Sequence, residues 1–333
     1  MVYPKHKLCV AGGGSWGTAL AHLAAANGHD VTLWLRDRTV ADAINLRHEN
    51  VRYLSGLPLH PALKASTDPD VLDSPLVVLA IPCQQQRGFI AEHNARFAKG
   101  VLLVNAAKGF EVESGLTASR FIPSLLEHKG ARYSVLSGPS FAREVLLGQP
   151  TAVVAASDSP DDASLIQHLF SSATFRCYTS TDVLGVEIGG AVKNVIAIAA
   201  GLCDGLSIGT NGRAALLTRG LAEIGRLGAA LGASPATFMG LSGLGDLILT
   251  ATGSLSRNRT LGLALGQGQS LDEACSRIGM VTEGVKTAFA VSALAARLGV
   301  HVPITDAVCA ILDGRLSPQE AAKSLMSRSL GQE

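Results

Sequence analysis

Lys193 lies in the run Val186-Glu-Ile-Gly-Gly-Ala-Val-Lys-Asn-Val-Ile-Ala-Ile-Ala-Ala-Gly201, where nearly every neighbour is apolar or small. Burial disfavours an ammonium, so a lysine in such a helix can trade a proton near neutral pH, as interconversion of a carbonyl and an alcohol requires. The other reading of the spacing is a lysine that snorkels from a core helix to solvent. Asn194 beside it needs a hydrogen-bond partner if buried, and Gly189 and Gly190 allow close approach by another backbone or a ligand. Asp246, an acid among glycines in Leu241-Ser-Gly-Leu-Gly-Asp246, can pair with Lys193 or with Arg257, or cap a helix.

Three further clusters combine polar residues with glycine or a helix start. Gly253-Ser-Leu-Ser-Arg-Asn-Arg-Thr260 reads as a turn into a helix, with Ser256 as N-cap and Arg257 and Asn258 in the first turn. Arginine there opposes the helix dipole and is better explained by a bound anion, such as a substrate phosphate, than by a surface loop. Ala107-Lys108-Gly109 follows an apolar strand, at the end of a parallel sheet where ligands usually bind. Ser137-Gly138-Pro139-Ser140-Phe141-Ala142 follows the next strand, and Ser140 can cap the succeeding helix or touch a ligand.

Gly12-x-Gly14-x-x-Gly17 stands between the strand Lys7 to Ala11 and the helix Trp16 to Asn27, the context in which this spacing signifies a dinucleotide site. Gly12 permits the tight turn, Gly14 the approach of a pyrophosphate and Gly17 close helix-strand packing, while Ser15 and Trp16 line the phosphates. The second strand ends in Leu35-Arg36-Asp37. An acid there takes the ribose hydroxyls of NAD, whereas an arginine accommodates the 2′-phosphate of NADP. Both residues are present, so the reading leans to NADP with NAD tolerated.

The elements that must position these groups fall into two halves. Seven apolar runs, Lys7 to Ala11, Val31 to Leu35, Leu76 to Ile81, Val101 to Asn105, Tyr133 to Leu136, Thr151 to Ala156 and Thr174 to Tyr178, alternate with helical patterns, as a wound parallel sheet requires. Beyond Thr181 or Asp182, a candidate N-cap, long Ala, Leu and Gly-rich segments predict only helices, with turns at Gly205 to Gly212, Gly240 to Asp246 and Gly253 to Ser256. The expectation is an α/β Rossmann-type doubly wound sheet over residues 1–181, followed by an all-α C-terminal domain over 182–333.

Composition narrows the function. With 47% hydrophobic residues, 17% charged residues, a net charge of +1 and no basic block, neither nucleic acid nor an anionic membrane surface is indicated. Val183 to Leu202 is apolar but contains Glu187, Lys193 and Asn194, so it reads as a buried helix, with no stable membrane anchoring expected. The six cysteines are scattered without metal-ligand spacing and read as reduced thiols. With no signal-peptide pattern at Met1 to Lys7, a cytoplasmic enzyme is expected.

Taken in order, Gly12-x-Gly14-Ser-Trp-Gly17, Lys108-Gly109, Gly138-Pro-Ser-Phe-Ala142, Lys193-Asn194, Gly243-Leu-Gly-Asp246, Ser256-Arg-Asn258 and Val281-Thr-Glu-Gly284 resemble the bacterial-type NAD(P)-dependent glycerol-3-phosphate dehydrogenases from about residue 7 to 320. The resemblance implies that Lys193 is the catalytic acid/base and that Lys108, Gly138, Ser140, Asp246, Ser256, Arg257 and Asn258 hold the glycerol phosphate. It implies that Ser15, Trp16, Arg36, Lys108, Ala142, Arg257, Val281 and Glu283 contact the dinucleotide. It further implies reversible reduction of dihydroxyacetone phosphate with NADPH or NADH, a role in phospholipid synthesis, and a homodimer. Pro82-Cys-Gln-Gln-Gln86 and the Arg36-Asp37 pair depart mildly from the pattern. One rival is a related hydroxy-acid dehydrogenase, against which Arg257 at a helix start favours phosphate. The other is a dinucleotide-sensing module, in which a buried Lys193 would have no purpose.

Overall fold

The structure is a computed structural model in which residues 4–278 and 283–328 are described. The chain begins β1 (Lys7–Ala11), α1 (Ser15–Ala26), β2 (Asp30–Trp34), α2 (Arg38–Arg47), β3 (Lys64–Ser66), β4 (Leu76–Leu79), α3 (Cys83–His93) and β5 (Leu102–Asn105). It continues α4 (Ala118–Leu125), β6 (Arg132–Ser137), α5 (Ala142–Leu146), β7 (Thr151–Ser157), α6 (Pro160–Phe170) and β8 (Phe175–Ser180). The remaining described elements are helical: α7 (Val183–Gly205), α8 (Thr210–Ala230), α9 (Pro235–Phe238), a π-helical turn (Leu241–Gly245), α10 (Asp246–Thr252), α11 (Arg257–Gly266), α12 (Leu271–Ile278), α13 (Glu283–Leu298), α14 (Pro303–Leu312) and α15 (Pro318–Met326).

The strands form one sheet in the order β3-β2-β1-β4-β5-β6-β7-β8, parallel throughout except between β6 and β7. The first six positions carry the Rossmann order, with the reversal of winding between β1 and β4. Successive side chains alternate across the sheet. Thus Leu8 and Val10 of β1 join α1, α2 and α6 side chains such as Leu20, Ile44 and Ile166 in one apolar layer. Cys9 and Ala11 join Phe89 and Ile90 of α3 and Phe121 and Ile122 of α4 in the other. Strands β4 and β5 are buried at every residue, hence the apolar runs Leu76-Val-Val-Leu79 and Leu102-Leu-Val104.

The Rossmann-type sheet followed by helices is the architecture expected from sequence, with two corrections to the expected sheet. It has an eighth strand, β3, whose three residues Lys64-Ala65-Ser66 are too short and polar to register as an apolar run. It is also not wholly parallel. The five-residue α5 spans only about 7 Å and cannot carry the chain back along a six-residue strand of about 20 Å, so β7 returns antiparallel.

By its contacts the chain divides into two compact units, Met1–Lys108 with Thr117–Val186, and Gly109–Leu116 with Glu187–Glu333. The first turn of α7 belongs to the sheet unit because Val183 and Val186 pack on Val135 and Ala156. Asp182 caps that helix, its Oδ1 accepting from the Gly185 amide at 2.9 Å. By length and composition α7 could cross a membrane, but 94% of its most apolar window is buried, as a core helix requires. The six cysteines form no disulfide, and burial pushes the thiols of Cys9, Cys177 and Cys309 up to about 12.

In the helical unit, Glu223 of α8 is 1% exposed and caps a different helix, α14. Its Oε1 accepts from the Ile304 amide at 2.5 Å, and its Oε2 from the Thr305 amide at 3.2 Å and hydroxyl at 3.1 Å. Burial raises its carboxyl above the ordinary glutamate range, an effect these donors oppose. Glu223→Ala leaves those donors unsatisfied and should lower stability by about 2 kcal/mol, read from the urea midpoint. An unchanged midpoint would contradict the capping role.

Candidate active site

In the sheet unit the chain leaves β1 through Gly12, whose φ of +123° suits glycine. A Cβ there would meet the Ala80 carbonyl oxygen at 2.6 Å, and one on Gly17 would collide with the Gly12 carbonyl. A Cβ on Gly14 would meet nothing within 4 Å, so open space lies beside the turn. Helix α1 begins with no side-chain cap and no acid in its first turn, leaving its leading amides to an anion. Trp16 is half-buried, and its indole Nε1 is buried without a partner among the described residues. These features fit a dinucleotide pyrophosphate.

At the end of β2, Asp37 caps α2. Its Oδ1 accepts from the Thr39 amide at 3.0 Å and the Val40 amide at 3.3 Å, and its Oδ2 lies 3.2 Å from Arg52 Nη1. Arg36 is exposed, with no partner among the described residues.

Lys108 lies in the loop after β5. A buried pair positions that loop: Gln86 Nε2 donates to Asn105 Oδ1 at 2.7 Å, and the same oxygen accepts from the Ala107 amide at 3.2 Å. Lys108 Nζ then donates to the Gly138 carbonyl at 3.0 Å. Ser140 Oγ donates to the same carbonyl at 2.9 Å, and Phe141, not Ser140, is the N-cap residue of α5. Lys108, Gly138 and Ser140 therefore form one polar cluster, with Ala142 half-buried at the start of α5.

In the helical unit Lys193 does not snorkel. It is 6% exposed and ion-paired with Asp246, which is 0% exposed. Its Nζ also donates to Thr250 Oγ1 at 2.7 Å. The pairing compensates the charge that burial alone would disfavour. Asp246 takes Lys193, the first of the two partners its position suggested. Two features bring the pair together. Gly189, one turn before Lys193, presses α7 so closely on the π-helical turn that an added Cβ would meet the Ser242 carbonyl at 2.5 Å. The segment Gly240 to Asp246, expected as a plain turn, is mostly that π-helical turn and delivers Asp246 as the first residue of α10. Thr250 escaped the sequence reading, although it lies four residues after Asp246 on the same helix face, the spacing that could have found it.

Asn194, next to Lys193, accepts from Asn258 Nδ2 at 2.9 Å, and Asn258 Oδ1 accepts from the Gly284 amide at 3.2 Å. Ser256 caps α11 as expected, its hydroxyl accepting from the Arg259 amide at 3.3 Å. The two arginines of that first turn divide their tasks: Arg259 binds Asp204 through Nε at 2.9 Å and Nη2 at 2.6 Å, while Arg257 is exposed. Glu283 opens α13, half-buried beside Gly284. Val281 lies outside the described residues.

A Rossmann sheet with a glycine phosphate turn, followed by a helical unit that buries an ion-paired lysine, defines the class of dinucleotide-dependent dehydrogenases. The description "NAD-dependent glycerol-3-phosphate dehydrogenase N-terminus" matches residues 7–163, and its C-terminal counterpart matches residues 182–323. Glycerol-3-phosphate dehydrogenase (NAD(P)+) of Desulfovibrio desulfuricans is 57% identical over 99% of both chains. The corresponding enzyme of Geobacter sulfurreducens is 49% identical over 97% of this chain and 98% of its own. The crystal structure of glycerol-3-phosphate dehydrogenase from Coxiella burnetii superposes with a TM-score of 0.92 at 37% identity, covering 97% of this chain and 99% of that one. The chain belongs to the NAD-dependent glycerol-3-phosphate dehydrogenase family.

Asp246→Ala strands a buried ammonium and should cost about 3–5 kcal/mol. Replacing both partners by apolar residues, Lys193→Met with Asp246→Leu, should recover most of that loss. Urea unfolding of the three proteins checks this, and a double variant no more stable than Asp246→Ala would contradict it.

Proposed function

We propose that this chain is an NAD(P)-dependent sn-glycerol-3-phosphate dehydrogenase that reversibly reduces dihydroxyacetone phosphate to sn-glycerol 3-phosphate for phospholipid synthesis. The observation that carries the reading is the buried Lys193–Asp246 pair in a chain of this family. A bound nicotinamide dinucleotide supplies hydride to the substrate's carbonyl carbon. The ammonium of Lys193 delivers a proton to the carbonyl oxygen and, in the oxidative direction, its amine recovers it. Asp246 and Thr250 hold Nζ at one position, which limits the orientations the reaction must search.

Arg257, Asn258 and Ser256, at the N-terminus of α11, anchor the phosphate. Their binding energy aligns the carbonyl for reaction. Lys108, Gly138 and Ser140 complete the substrate contacts. Gly12, Gly14, Ser15, Trp16, Gly17, Arg36, Lys108, Ala142, Arg257, Val281 and Glu283 hold the dinucleotide. Residues 1–181 thus serve as the NAD(P)-binding domain and 182–333 as the substrate domain. The family resemblance supports a homodimer, and six cysteines held as thiols support a reducing, cytoplasmic compartment.

Purified protein should oxidise NADPH or NADH when given dihydroxyacetone phosphate, and should not reduce NAD or NADP with 3-hydroxyisobutyrate. Absence of triose phosphate turnover with either dinucleotide sinks the proposal. Lys193→Met should abolish turnover while dinucleotide binding, followed by protein fluorescence, persists; near-normal rates would strip Lys193 of its role. Arg257→Ala should raise KM for the triose phosphate at least tenfold, the loss of about 1.4 kcal/mol of binding, and an unchanged KM would move the phosphate anchor elsewhere.

A further inference from the structure

The sequence places an acid and an arginine side by side at the end of β2, and the structure separates their duties. We infer that Arg52, not Asp37, reads the 2′ position of the adenosine ribose, so that the site selects the 2′-phosphorylated dinucleotide. The inference rests on the dinucleotide-binding part of the proposed function.

Asp37 stands where an acid would accept two ribose hydroxyls, but its oxygens are engaged. Oδ1 caps α2 through the Thr39 and Val40 amides, and Oδ2 faces Arg52 Nη1 at 3.2 Å. A diol would have to share a carboxylate that already accepts two helix amides and faces a guanidinium.

Arg52 is held there by a network rooted in the glycine turn. Asn50, 0% exposed, donates through Nδ2 to the Gly13 carbonyl at 3.0 Å and to Thr18 Oγ1 at 2.8 Å. Its Oδ1 accepts from the amides of Arg52 at 3.3 Å and Tyr53 at 3.2 Å. Ser15 Oγ donates to the Tyr53 carbonyl at 3.4 Å. The segment 50–53 is thereby fastened to the turn that receives the pyrophosphate, and the Arg52 backbone is fixed beside it. Asn50 is a positioning residue in this arrangement.

The charge balance favours phosphate over a neutral diol. Of the arginines on this segment, Arg38 pairs with Asp42 at 3.8 Å and Arg52 with Asp37 at 3.2 Å. One positive charge remains, and Arg36 has no partner among the described residues. The Arg52 side chain is 60% exposed, so its pair with Asp37 is weak and easily exchanged for a phosphate, which the planar guanidinium can grip with two hydrogen bonds.

Calorimetric titration of the purified protein with NADPH and NADH tests this, using wild type, Arg52→Gln and Asp37→Asn. Wild type should bind NADPH at least tenfold more tightly than NADH. Arg52→Gln should weaken NADPH about tenfold and leave NADH within about twofold. Asp37→Asn keeps the helix cap but removes the competing charge, so it should tighten NADPH severalfold and leave NADH unchanged. The inference is overturned if Arg52→Gln weakens both dinucleotides equally or neither, or if Asp37→Asn loses NADH affinity about tenfold, the mark of a ribose-binding acid. Failure of wild type to bind either dinucleotide overturns the dinucleotide-binding reading and this inference together, whereas tight binding indifferent to Arg52 overturns the inference alone.

Discussion

A charged lysine inside an apolar helix is tolerable only if a second charge meets it, and much of the helical unit follows from that constraint. Isolated, the ammonium of Lys193 would cost several kcal/mol to bury. Its compensation by Asp246 demands that two helices approach at one level, which is why Gly189 faces the Ser242 carbonyl and why a π-helical turn precedes α10. A π turn inserts an extra residue into the helical ladder, a local cost usually met where function requires it. Thr250 adds a second acceptor, so Lys193 Nζ has defined hydrogen-bond directions at a position hidden from bulk water.

The sheet unit solves a different problem with the same economy. An anion must be met by backbone amides at the end of β1, and the contacts that make this possible are steric, between Gly17 and the Gly12 carbonyl and between Gly12 and Ala80. Buried side-chain amides then fix the surrounding loops. Asn50 clamps the segment after α2 to the turn, and Gln86 with Asn105 sets the start of the loop that carries Lys108. Asn50 and Asn105 are hydrogen-bonded through both amide atoms, whereas Gln86 donates through Nε2 and leaves its Oε1 buried without a partner among the described residues.

Much of this could be read from the sequence, for reasons that differ by residue. The glycine turn was readable because its spacing and its strand-helix context are local. Lys193 stood out because charge is rare in an apolar helix. The partner of Asp246 was readable only as a pair of options, Lys193 or Arg257, because the choice depends on how helices bearing residues 53 apart pack. Thr250, Asn50 and Gln86 were missed because a lone hydroxyl or amide has no periodicity, and its value appears only when the chain folds back. β3 was missed because three residues with one alanine carry no apolar signal, and the antiparallel return of β7 because strand direction is set by the length of α5. The Arg36-Asp37 ambiguity was real in the sequence; the structure bears on it through Arg52, fifteen residues away.

In the proposed function Lys193 donates the proton and Asp246 holds the lysine paired and oriented. The most direct test is single-turnover reduction of dihydroxyacetone phosphate by enzyme-bound NADPH, comparing wild type with Asp246→Asn, which keeps the shape but removes the carboxylate's charge. The account predicts that the observed reduction step slows by at least about a hundredfold, within the range general acid–base groups contribute, while NADPH affinity stays unchanged. A reduction step at the wild-type rate would contradict it.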